Sequence, residues 1–154
     1  ADSYVSTDFQ LGYTCYKDTK RYHGAGFGIG GSYFFNDTWG LRADYGLNDI
    51  RSKGSAFRIQ HTGIHGVYQL DVFALVPWVD VGALVYSTGG APVGDGLQYG
   101  LSFAFGVDRL LNQNWTVGAL ISLHKMAKSD VLPAVTQMMI RLGYRWTLGD
   151  PYAP

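Results

Sequence analysis

From Val5 onward the chain alternates. Val5, Thr7, Phe9, Leu11, Tyr13 and Cys15 share one parity, and Ser6, Asp8, Gln10, Gly12, Thr14 and Tyr16 share the other. Successive side chains of a strand point to opposite faces, so this run predicts a strand with one apolar and one polar face. Its length is unusual in a soluble sheet and suits a tilted crossing of a bilayer. The pattern returns along the chain. Ala25, Phe27, Ile29, Gly31, Tyr33 and Phe35 oppose Gly24, Gly26, Gly28, Gly30 and Ser32; Trp39, Leu41, Ala43, Tyr45 and Leu47 oppose Gly40, Arg42, Asp44, Gly46 and Asn48. Later segments set Val79–Val85 against Trp78–Leu84, Leu97–Val107 against Gln98–Asp108, Trp115–Leu123 against Thr116–His124, and Met138–Trp146 against Gln137–Arg145, each at every second residue.

The fourth segment is irregular. Thr62, Ile64, Gly66, Tyr68 and Leu70 form an apolar face against His61, Gly63, His65 and Val67, but Phe57 and Ile59 fall on the polar parity. A β-bulge near Gln60, or a membrane section that begins only after it, would restore the pattern. With this segment the strands number eight, and an even number returns both chain ends to one side. Asn36–Thr38, Asp71–Leu75 and Leu111–Asn114 read as short connections. Lys17–His23, Asp49–Ala56, Ser87–Gly96 and Lys125–Pro133 read as longer, more polar ones. Short periplasmic turns and longer outside loops are the usual asymmetry, which predicts two periplasmic termini.

Composition narrows the class. Only 16% of the 154 residues are charged, against about 25% in soluble domains, and 21 are glycine. The formal net charge is zero, which gives no electrostatic footprint for nucleic acid. One cysteine excludes an intrachain disulfide framework. No apolar run approaches the roughly 20 residues of a helical span, and the longest is broken by Pro77. An eight-stranded barrel encloses only the room its own side chains fill. The glycine-rich polar face leaves space there for long partners such as arginine, and the bulky face would overfill it. The predicted fold is therefore all-β: an eight-stranded antiparallel up-and-down transmembrane β-barrel over residues 1–146, with a polar, side-chain-filled lumen. Aromatic residues on the apolar face gather at strand ends. Phe35, Trp39, Tyr68, Trp115, Tyr144 and Trp146 lie toward the short turns, and Tyr13, Tyr45 and Tyr99 toward the long loops, as two candidate interfacial girdles.

Three pieces, GGSYFFNDTWGLRADYG, LVPWVDVGALVY and LNQNWTVGALISL, resemble the transmembrane domains of OmpA-like and OmpX-like outer-membrane proteins. The resemblance runs from about Tyr4 to Trp146 and rests on a recurring unit: aromatics ending a strand, Asn-Asp or Asn-Gln-Asn, then Trp opening the next. It implies an outer-membrane location among lipids that include lipopolysaccharide, and a structural or anchoring role. Gly143, Tyr144 and Trp146 resemble the family's C-terminal assembly signal, which implies recognition by the outer-membrane assembly machinery. Residues 147–154, ending Asp-Pro-Tyr-Ala-Pro, resemble the start of a linker to a periplasmic peptidoglycan-binding domain; a short tail is the other reading.

The inward parity carries the candidate chemistry: Asp8, Asp44, Asp80 and Asp108 against Arg42, Arg141 and Arg145, with His65 among them. Asp8 and Arg145 fall at similar height on neighbouring strands, and Arg42, Asp44, His65 and Asp80 at similar depth on three consecutive strands. Charges confined to a narrow lumen must be paired or hydrated, so these residues predict a salt-bridge plug. The resemblance supplies a second reading, a small gated ion pore in which a lumenal pair changes partners, with Arg42 beside Asp44 or Asp80, or Arg141, as the gate. Surface adhesion through the loops is a third reading. Catalysis has little support. His61 and His65 sit four residues apart on a strand, about 13 Å, and His124 has no serine following it on its strand in the pattern of lipid A deacylases. No metal-ligand spacing and no cofactor motif appears, and Gly24–Gly31 lacks the following helix a phosphate loop needs.

Overall fold

The computed structural model describes residues 3–17, 21–52, 55–71, 74–89, 96–127 and 135–147. They form eight strands: β1 (Tyr4–Lys17), β2 (Arg21–Phe34), β3 (Trp39–Ser52), β4 (Ser55–Gln69), β5 (Leu75–Gly89), β6 (Gly96–Leu110), β7 (Trp115–Met126) and β8 (Val135–Thr147). Each pairs antiparallel with its chain neighbours, and β8 returns to β1 to close the barrel. Closure leaves no sheet edge, the condition a sheet must meet in hydrocarbon. Both ends of the described chain emerge at one end, here the terminal end; the other is the distal end.

The register fixes the shape. A path followed at right angles to the strands leaves Tyr4, crosses Phe34, Gly40, Val67, Asp80, Ala104, Ser122 and Gln137, and regains β1 at Thr14. The circuit thus climbs ten residues over eight strands, toward the distal end. Such a stagger tilts the strands by roughly 40° from the barrel axis. Residues later in the circuit stand higher than their register partners.

Parity then decides what each side chain meets. Leu11, Ile64, Leu101 and Ile140 are exposed on the outer face, while Asp8, Arg42, His65 and Asp80 are buried in the lumen. A continuous apolar exterior around charged contents is untenable in water and suits hydrocarbon.

Two expectations need correction. β4 runs without a bulge, paired residue for residue with β3 from Ser52↔Ser55 to Trp39↔Tyr68. Phe57 and Ile59 point inward and are buried, while Arg58 and Gln60 point out. Their parity was regular; the distal part of the lumen is apolar, which a uniformly polar interior does not anticipate. The difference can be read without perturbing the fold. In a barrel labelled at isoleucine methyls, Ile64 and Ile140 are expected to show nuclear Overhauser cross-peaks to detergent acyl chains, and Ile50 and Ile59 none. Acyl cross-peaks at Ile59 would restore the bulge.

The second correction concerns the connections. β1 and β2 stay paired to Lys17↔Arg21, and β3 and β4 to Ser52↔Ser55, so only residues 18–20 and 53–54 lie between them. The polar residues read as loop are cross-strand pairs that continue the wall beyond the apolar band. The distal connections at 90–95 and 127–134 are the longer ones. The expected asymmetry therefore holds for half of the barrel. Residues 148–154, the expected tail or linker, lie outside the described residues.

Candidate functional site

The lumen is filled in three tiers. The terminal tier is ionic. Arg42 reaches Asp8 with both terminal nitrogens, Nη2 donating to Oδ1 at 2.9 Å and Nη1 to Oδ2. The partners stand two strands apart, on β1 and β3. Between them β2 contributes Gly30, in register with both Asp8 and Asp44, where an added Cβ would lie 2.2 Å from Arg42 Nη2. The missing side chain is the passage through which the guanidinium crosses. His65 is held between two carboxylates, Nε2 3.0 Å from Asp44 and Nδ1 3.3 Å from Asp80. Its register neighbour Gly82 makes the room, since a Cβ there would lie 2.2 Å from Nδ1. Arg141 pairs with Asp108, its Nε donating to Oδ1 at 3.3 Å, and lies 4.2 Å above the Trp78 ring. At the mouth Arg145 bonds Asp71 at 2.8 Å and lies 4.8 Å over Tyr4, whose hydroxyl accepts from Gln69.

All eight lumenal residues singled out from the sequence face inward, but the pairing differs from the expected one. Arg42 takes Asp8, not Asp44 or Asp80. Arg145 lies opposite Ser6 in register and turns to Asp71, away from Asp8. Asp71 was missed because it lies two residues past the end of β4, in a segment read only as a turn.

The middle tier is neutral and hydrogen-bonded. Asn48 Oδ1 accepts from Thr14 at 2.8 Å and from Gln137 at 2.6 Å. His124 contacts Tyr86 through Nδ1 at 2.8 Å and Ser122 through Nε2 at 2.8 Å, with Gln137 Oε1 at 3.2 Å. Parity had placed most of these residues inside without marking them as a site. Ser122 and His124 share the inward face of β7 and resemble the two members of a hydrolytic pair, but both are buried beneath the distal tier. That tier packs Tyr16, Ile50, Phe57, Ile59, Leu84, Tyr86, Met126 and Val135 into one apolar cluster. Among the described residues the lumen keeps small cavities of about 30 Å³ among the ionic groups and about 10 Å³ beside Arg42, Asp44 and His61. The larger holds on the order of one water and neither forms a passage.

The outer face shows what the repeated Asn-Trp unit does. Asn36 Oδ1 accepts from the backbone of Thr38 at 2.8 Å and Trp39 at 2.9 Å, and Asn112 Oδ1 from Asn114 at 2.8 Å and Trp115 at 2.9 Å. A side-chain carbonyl that mimics a backbone acceptor tightens each turn. The two tryptophans are delivered alike, Trp39 edge-on to Tyr68 and Trp115 edge-on to Tyr144, each with ring centroids 4.9 Å apart. Tyr144 also packs on Trp146 at 4.6 Å, and Phe35 on Tyr33. Toward the distal end Tyr13, Tyr45 and Tyr99 are exposed on the outer face. Gly143 is buried between Asp8 on β1 and Thr116 on β7, at the strand that closes the barrel. Cys15 is half-buried, and no metal-binding group of side chains occurs among the described residues.

No protein-family model matches the sequence, and no curated protein matches it. Solved structures do. Neisserial surface protein A aligns over 94% of this chain and 96% of its own, at TM-score 0.71 and 18% identity. Ail, the attachment invasion locus protein of Yersinia pestis, solved in complex with the heparin analogue sucrose octasulfate, aligns over 95% and 100%, at TM-score 0.68 and 16% identity. The outer-membrane enzyme PagL aligns over 90% and 97%, at TM-score 0.55 and 13% identity. At these identities the likeness speaks for the backbone and leaves activity open, since an attachment protein and an enzyme share it. The closed eight-strand circuit, the apolar exterior and these alignments together give the chain the fold of the small eight-stranded outer-membrane β-barrels.

Proposed function

We propose that the chain is a closed structural body of the outer membrane, which anchors what it carries at its ends and neither conducts nor catalyses. The filled lumen carries this reading. An ion would have to part Arg42 from Asp8 or Arg141 from Asp108 and then cross the apolar distal tier, so exchange of one ion pair opens nothing. Buried Ser122 and His124 offer no surface to a substrate. The even strand count supports a periplasmic terminal end. The aromatic rings at Trp39, Tyr68, Trp115, Tyr144 and Trp146 suit one headgroup layer and those at Tyr13, Tyr45 and Tyr99 the other. Gly143, Tyr144 and Trp146 on β8 serve as the mark for the assembly machinery, and the sequence after Thr147 reads as the start of a linker to a peptidoglycan-binding domain.

Purified barrel in planar lipid bilayers is expected to stay at the baseline current at all voltages. Discrete conductance steps would overturn the closed-body reading, and steps that grow more frequent in Arg42→Met/Asp8→Leu would make the Arg42–Asp8 pair their gate.

A further inference from the structure

The charged residues on the outer face are unevenly placed. At the distal rim Lys17 on β1, Arg21 and His23 on β2, Arg51 on β3 and Arg58 on β4 all point outward and are exposed. They are neighbours in the register: Lys17 faces Arg21, His23 faces Arg51, and Arg58 faces Asp49, which in turn adjoins Ala25. The climb of the barrel matters here. Allowing for little more than one residue of rise per strand, the four cations and His23 come to one height, within roughly 5 Å along the axis. They span three strand spacings, an arc of about 15 Å.

Asp49 is the one carboxylate on this arc among the described residues, 3.4 Å from Arg51. The Tyr13 hydroxyl contacts His23 Nδ1 and its ring stacks on the imidazole, which fixes His23 above the apolar band. Among the described residues the opposite arc at the same height carries no charge, with Ser87 on β5, Leu97 on β6 and Ala127 after β7, and Lys125 stands one outward step below it. Among the described residues of a protein of zero net charge, the cations of this rim thus lie on one half of it, immediately above the tyrosines at the edge of the apolar band.

We infer that this arc binds the phosphates of a membrane glycolipid that carries more than one phosphate on its headgroup, seated in the leaflet at the distal end. Phosphate suits the donors: arginine grips its oxygens with two parallel hydrogen bonds and lysine adds a compact charge. The outward direction of the side chains puts the ligand beside the barrel, in the lipid layer, and not above it in solution. The spread over four strands favours several anionic groups over one. The inference rests on the proposed orientation only for which leaflet supplies the lipid; binding in detergent is independent of it, so the two ideas fail separately.

Native mass spectrometry of the intact barrel in detergent provides the test, with bis-phosphorylated lipid A, its dephosphorylated form, phosphatidylglycerol and phosphatidylcholine as probes. The bis-phosphorylated lipid is expected to bind at least about tenfold more tightly than the other three, and Lys17→Gln/Arg21→Gln/Arg51→Gln/Arg58→Gln to erase that preference. Arg109→Gln/Lys125→Gln, which removes cations from elsewhere on the outer face, should leave it intact. The folded state of each variant is read from its heat-modifiable gel mobility; if the fourfold variant does not fold, the Lys17→Gln/Arg21→Gln and Arg51→Gln/Arg58→Gln pairs are each expected to lower the preference several-fold. Equal binding of phosphatidylglycerol, an unchanged preference in the variants, or binding of sucrose octasulfate with no lipid preference would each overturn the inference.

Discussion

Replacing Arg42 with Met is expected to cost the barrel about 3–5 kcal/mol, because it leaves Asp8 charged and alone in the lumen. Both side chains are nearly inaccessible, at 3% and 6% exposure, so water cannot take over the missing partner. Met keeps the packing volume of the arginine stem, which makes the loss electrostatic. Urea titration of the folded barrel in lipid, followed by tryptophan fluorescence, reads the effect as a lower midpoint at unchanged slope. Adding Asp8→Leu should recover most of the loss, since a buried pair replaced as a unit is often neutral. Arg51→Gln supplies the contrast. Its pair with Asp49 is open to solvent, and losing it should cost less than about 1 kcal/mol. Equal effects at Arg42 and Arg51 would mean that the lumen is wet.

The second large effect is expected at the closing seam. Gly12 of β1 faces Met139 of β8, and a Cβ on it would lie 2.1 Å from the Met138 carbonyl oxygen and 2.7 Å from the Met139 Cα. These are backbone atoms, so no rotamer change relieves the clash. Gly12→Val must push β1 and β8 apart where the sheet closes, at a cost of about 3 kcal/mol or more. The barrel is expected to lose its compact, fast-migrating form on unboiled gels and to fold slowly if at all. Gly66→Ala is the matched control: the space around its added methyl is empty within 4 Å, and its stability should stay within about 0.5 kcal/mol. A closed Gly12→Val barrel of normal stability would show that the β1–β8 backbones are not in such close approach.

The outline was legible from side-chain alternation alone, because a bilayer-spanning sheet must turn every second residue to hydrocarbon, and a run such as Leu97–Val107 records it directly. Membership of the lumen was legible on the same ground, so Arg42, His65 and Asp80 could be placed inside. Their partners could not. Which carboxylate an arginine meets depends on the stagger of the strands and on gaps such as Gly30, and neither leaves a local mark in the sequence. Phe57 and Ile59 show the opposite failure. Their parity places them inside, and reading every apolar residue as lipid-facing hides it. Tyr16, Ile50, Leu84 and Tyr86 carried the same signal at matching positions of other strands and together outlined the apolar tier. The repeated Asn-Trp unit was visible as a motif, and its cause, an asparagine carbonyl closing each turn, needed coordinates.

The tiered interior has a consequence for how such a cylinder reaches its place. Ions resist passage through oil far more than greasy packing does. In the orientation proposed, a barrel that enters distal end first takes an apolar lumen of Tyr16, Ile50, Phe57 and Met126 across the far monolayer behind the exposed cations of its rim, while Arg42, Arg141 and their carboxylates follow lower in the lumen. Threading it the other way round would spare the rim cations and lead with the lumenal ions instead. The contents of the cylinder thus give it a nose and a stern.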